Sequence, residues 1–138
     1  MLGMNVTRKK DGMRTLDDNL LDGLSNGIET AADYFKNKIV QKVETNIPPA
    51  LQPATIARKG SSVALFDTGE MYNQIDADIH DYSANVGVIG SKAQIAAHHE
   101  FGAPAAGIPE RSFIRSTFNE EKGKLETIIA GEIKKKIV

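Results

Sequence analysis

The sequence predicts an α+β fold, two long amphipathic helices packed on a small antiparallel sheet with a central hairpin. Three observations carry this. Apolar residues recur at three- and four-residue steps over two long stretches towards the ends of the chain, and between them apolar and polar residues alternate. Proline and glycine punctuate the joins. At 138 residues the chain has the size of one folding unit, and it divides into a flexible arm over 1–14 and a single α+β domain over 15–138.

Taken in order, the arm carries Arg8, Lys9 and Lys10 with no apolar core after them, so it is not a secretory signal. Thr15 with Asp18 three residues on forms a capping-box-like helix start. Leu21, Leu24, Ile28, Ala32, Phe35, Ile39 and Val43 then mark one face of a long helix that Pro48 and Pro49 stop. Gly23 and Gly27 each weaken that helix by ~1 kcal/mol relative to alanine, unless they let another chain approach closely. A connector over 48–60 holds a helical turn from Pro53 to Arg58, since proline suits a first helical position. A short strand over 63–67 and a short helical segment over 68–74 follow. Ile75, Ala77 and Ile79 alternate with Asp76, Asp78 and His80, and the alternation resumes at Val86 and Val88 after a polar turn over 81–85. This is a hairpin with one wet face, marginal in water unless helices or a neighbouring subunit's strands cover and extend it. A second helical stripe runs through Ile114, Phe118, Leu125, Ile129, Ile133 and Ile137, with Lys134, Lys135 and Lys136 where a helix C-terminus attracts cations.

The stretch 95–115 organises the rest. A short helix bearing Ala96, Ala97 and Phe101 ends at Gly102, which can adopt a positive φ. Pro109 makes the chain leave the following loop extended and enter a new helix near Ser112. The loop itself, with Ala103, Pro104, Ala105 and Ala106 before Gly107, has no acid, donor or nucleophile on its side chains, so it suits contact rather than catalysis. Glu100 and Arg111 flank it, either pinning its ends as a bidentate salt bridge or standing as two solvated charges. Phe101 and Phe113 are expected to anchor the two ends in the core.

The run Ala96, Ala97, His98, His99, Glu100, Phe101, Gly102, then Ile108, Pro109, Arg111 and Phe113, resembles the alanine, His-Glu-Phe-Gly and Ile-Pro-x-Arg-x-Phe signature of the phage virion morphogenesis family, which includes tail-completion and neck proteins of tailed bacteriophages. Upstream, Leu51, Pro53, Ala54, Thr55 and Lys59, followed by Asp67, Thr68 and Gly69, resemble that family's proline-Ala-Thr and Thr-Gly elements in the same order. The resemblance spans roughly 51–118. It departs at Ile95, where the family often has an aromatic, and at Ser112, where it has a bulkier residue. It implies a structural virion protein with no active site, cofactor or metal to transfer. It also implies a homo-oligomeric ring, a hexamer by preference, that joins or completes the head-tail connection and contacts the head connector and the tail tube or terminator. DNA would only pass through the lumen, with Asp76 and Asp78 on its wall, and assembly would take place in the host cytoplasm.

Other chemistries are weaker. The run 63–69, ending in Asp67, Thr68 and Gly69, resembles the apolar-Asp-Thr-Gly signature of retroviral-type aspartic proteases, where two carboxylates share a proton. That fold is nearly all strand, whereas helical stripes occupy about half of this chain, and Glu70 stands where a small residue is expected. His98, His99 and Glu100 are adjacent on a helix, point about 100° apart and cannot chelate one ion, though His80 could join one of them from the hairpin. A net charge of −1 argues against a general nucleic-acid binder. With no cysteine there is neither disulfide nor thiol chemistry, and no apolar run approaches the ~18 residues of a membrane helix. A stand-alone binding module is the remaining alternative.

Overall fold

The computed structural model describes residues 11–45, 47–59, 65 and 69–137. In chain order they form α1 (Asp11–Glu44), α2 (Pro53–Lys59), α3 (Glu70–Asn73), β1 (Ile75–Ile79), β2 (Ala84–Val88), α4 (Ala93–Phe101), a 3-10 turn (Pro104–Ala106) and α5 (Arg115–Ile137). The α+β layout read from the sequence is present, with two long helices and one antiparallel pair of strands.

Helix α1 spans 34 residues and begins upstream of Thr15, so Thr15 and Asp18 lie inside it rather than capping it, and residues 11–14 belong to the helix rather than to an arm. Leu16 and Leu20, on those first turns, are exposed. Helix α5 spans 23 residues and lies antiparallel along α1. The contacts run in reverse order: Gly23 faces Ile133, Gly27 faces Ile129, and the rings of Phe35 and Phe118 meet edge to face at 5.7 Å. A Cβ on Gly23 would stand 2.6 Å from the Cα of Ile133, and one on Gly27 2.9 Å from the Cα of Ile129. The two glycines thus admit another helix backbone, and that backbone is the chain's own. Tyr34 donates to Glu121 at 2.7 Å and Lys42 pairs with Glu120 at 2.8 Å along the same seam.

The hairpin pairs Ile75 with Val88, Ala77 with Val86 and Ile79 with Ala84. It lies on α1, which both strands contact. Burial along β1 fades from Ile75, fully in the core, to Ile79, which is exposed although the alternation puts it on the inner face. The polar turn closes with the His80 amide donating to the Ser83 carbonyl at 2.8 Å. Asp76 and Asp78 are exposed as expected, and Asp76 takes both the Ala77 amide at 2.8 Å and the Lys36 ammonium at 3.5 Å.

The core forms where α1, β1, α4 and the start of α5 converge, on Ile39, Val43, Leu65, Met71, Ile75, Ala96 and Phe113. Of the strand expected over 63–67, Leu65 alone falls within the described residues; it stands in a turn with its side chain in this core. No helix among the described residues is long and apolar enough to cross a membrane.

Candidate functional site

Helix α4 buries Ala96 and Glu100, one turn apart on the same face. It ends at Gly102, whose φ of 78° and ψ of 154° form an extended left-handed-side conformation that only glycine adopts without strain. A Cβ there would also meet the Glu110 amide nitrogen at 3.1 Å. The loop beyond closes on itself. Ala103 and Ile108 exchange backbone hydrogen bonds of 2.8 and 3.1 Å across the 3-10 turn that begins at Pro104, and Gly107 supplies the left-handed closing residue at φ 70°. The Arg111 amide then donates to the His99 carbonyl at 2.7 Å, tying the outgoing strand to α4.

Glu100 and Arg111 do hold the ends of this loop, but not by pairing with each other. Each is only 4% exposed. The Glu100 carboxylate accepts the amides of Phe113 at 3.0 Å, Ile114 at 2.8 Å and Arg115 at 3.0 Å, together with the Ser112 hydroxyl at 2.6 Å. The last of these amides opens α5 and the others lead into it, so a carboxylate from another helix caps the N-terminal end of α5, with the helix dipole favouring the negative charge. Its ion-pair partner is Arg115, Nε to Oε2 at 2.9 Å. Burial works to raise the Glu100 pKa, but the hydrogen bonds from Ser112, Ile114 and Arg115 outweigh it and hold the carboxyl below its usual value. Arg111 turns the other way and donates to the backbone carbonyls of Ile47 at 3.2 Å and Pro49 at 2.9 Å, fastening the chain after α1 to the loop. With no acid beside it, burial lowers its pKa.

Phe113 is completely buried and anchors one end of the loop, as expected. Phe101 does not anchor the other. It is 62% exposed, with the Arg115 guanidinium stacked 4.4 Å from its ring centre. Phe101 is displaced outward because Ala96 and Glu100 occupy the inward positions of α4. Pro104 and Pro109 are exposed, as are Ala105, Ala106 and Gly107. This bend forms one wall of a groove of about 1090 Å³ whose other wall includes Pro49, Leu51, Gly69 and Met71. Gly69, at φ 87°, accepts the Asn73 amide at 2.9 Å and starts α3. Asp67 and Thr68 lie outside the described residues. Arg115 was the functional residue hardest to see in the sequence: fifteen positions separate it from Glu100, and only the reversal at Gly102 brings them together. Among the described residues, no three His, Asp or Glu side chains cluster as metal ligands; His80 pairs with Asp78 at 3.2 Å instead.

Among the described residues, the bend brings together no acid-base or nucleophilic constellation. It offers an apolar, small-residue surface with two buried charged side chains beneath it. Comparison of the chain with protein-family models, with curated proteins and with solved structures finds no match in any of the three.

Proposed function

We propose that the chain is a structural subunit of the neck of a tailed bacteriophage, forming a ring that joins or completes the connection between head and tail. The observation that carries this reading is the bend at 101–109. It is apolar, bears no reactive side chain and is largely displayed to solvent, with the buried Glu100 beneath it bonded to Ser112 and Arg115. Rigid exposed apolar surface is costly in an isolated protomer and useful where copies mate. The resemblance of 51–118 to virion morphogenesis proteins supports the same reading, and so does the α+β fold, which is not the nearly all-strand fold of the Asp67 protease alternative. Copies in such a ring meet head to tail, each presenting the bend to the next, with a rotation that closes.

Native mass spectrometry and negative-stain imaging of the purified full chain test this, alone and with an isolated head connector. Closed rings in either condition are the expected result. A protein that stays monomeric in both overturns the proposal, and acid-dependent cleavage of a denatured substrate that disappears in Asp67→Asn would replace it.

A further inference from the structure

A second groove, of about 350 Å³, runs between β2, α1 and α5. Its floor is apolar: Ala31, Ala32 and Phe35 from α1, Phe118, Leu125 and Ile129 from α5. Along its open side lies the edge of β2 that no other described strand pairs. The register and the closing bonds, His80 to Ser83 and Gln74 to Ile89, make 76/87 and 78/85 the hydrogen-bonded pairs. Ala84, Val86 and Val88 therefore aim their amides and carbonyls away from β1. Within the described residues these outward groups make no hydrogen bond.

The two edges of the hairpin differ in how they are protected. On β1, Asp76 and Asp78 place charge on the edge, and the Asp76 carboxylate itself occupies the outward Ala77 amide. β2 has neither charge nor proline nor bulge. An edge left unguarded beside an apolar trough has the form of a strand-acceptor site. Because α5 closes the trough on its far side, it takes a single strand rather than a second sheet.

We propose that this site receives the segment carrying Leu2, Met4 and Val6 of a neighbouring copy, added antiparallel to β2. Residues 1–10 lie outside the described residues, and only their sequence bears on the match. Leu2, Met4 and Val6 alternate with Gly3, Asn5 and Thr7, the period of a strand with one apolar face, which suits the apolar floor that Lys122 and Glu126 border. In the antiparallel sense Leu2 stands opposite Val88, Met4 opposite Val86 and Val6 opposite Ala84. Arg8, Lys9 and Lys10 then run past the hairpin tip, where Asp78 and Asp81 are exposed; this assigns Asp78 to the arm rather than to a channel wall. Length decides that the donor is another copy. From Asp11 to Ile28, the first α1 residue of the groove, the helix rises about 25 Å. The chain from Val6 to Asp11 spans at most about 18 Å. One copy's arm in the next copy's groove is a heterologous contact, so it deepens the ring reading and supplies a second link between subunits.

The chain has no cysteine, which permits a clean test. Met4→Cys is placed in one preparation and Val86→Cys in another, and the two are mixed and oxidised; because Val86 aims its amide and carbonyl at the added strand, 4/86 is a hydrogen-bonded pair, whose Cα atoms stand about 5.5 Å apart and within disulfide range. The expected result is a covalent dimer from at least half the mixture, joined at positions 4 and 86 by peptide mass. Asn85→Cys, on the opposite face, should give at least tenfold less. Equal yields in the two mixtures overturn the inference, as does a double variant that links only within its own chain. If unmodified protein forms rings while no 4–86 dimer appears, strand donation fails and the ring reading stands. A 4–86 dimer from protein that forms no rings leaves strand donation standing and sinks the ring.

Discussion

At the scale of single residues, Phe113 and Phe101 separate stability from assembly. Phe113 has no exposed surface, so Phe113→Ala should cost about 3 to 5 kcal/mol through lost burial and the cavity left behind, read as a lower midpoint in chemical denaturation. Phe101 is largely exposed, and Phe101→Ala removes a ring whose cation-π contact is worth about 0.5 to 1 kcal/mol. Its melting temperature should hardly move while ring formation by native mass spectrometry is lost. Glu100 makes a third test. Glu100→Gln puts an amide where α5 presents N–H donors, and should cost about 2 to 3 kcal/mol. The sign with pH follows from the carboxyl being held below its ordinary 4.5. The folded state binds that proton less readily than the unfolded one, so Glu100's contribution is complete above pH 4.5 and fades as pH falls through the lowered folded value. Denaturation midpoints measured on acidification should drop more steeply for the parent chain than for Glu100→Gln.

At the scale of elements, the helical periods made both long helices legible, and the alternation with its polar turn made the hairpin legible. What periodicity did not reveal was partnership. Gly23 and Gly27 left open whether a second chain approaches; the answer is α5, whose backbone passes where their side chains would stand. That contact reverses the usual effect of glycine. In an isolated helix Gly27→Ala should gain up to about 1 kcal/mol, but here a Cβ falls 2.9 Å from a Cα of α5, and the variant should be less stable than the parent in urea denaturation. A gain would show that the helices part easily. The start of α1 was missed because the Thr15–Asp18 pair has the form of a cap although the helix begins at Asp11.

At the scale of the whole molecule, the bend was located correctly from glycine, proline and the lack of reactive side chains, but the means of holding it were not. Glu100 and Arg111 sit eleven positions apart and invite pairing on sequence alone. Folding gives each a different task, since the α5 amides offer Glu100 several donors and the chain after α1 offers Arg111 only carbonyls. Arg111 thus joins the segment after α1 to the bend, and Arg111→Met, which fills the space without donating, leaves the Ile47 and Pro49 carbonyls unpaired. It should lower thermal stability by an amount equivalent to about 2 kcal/mol.

Arg115 touches inside and outside at once, one face on Phe101 and one edge on Glu100, which in turn grips the amides of Phe113, Ile114 and Arg115. Whatever settles on the aromatic ring stiffens the guanidinium and, through it, the carboxylate. Deuterium uptake at those three amides is therefore a gauge, buried in the protomer, of whether its surface bend is occupied.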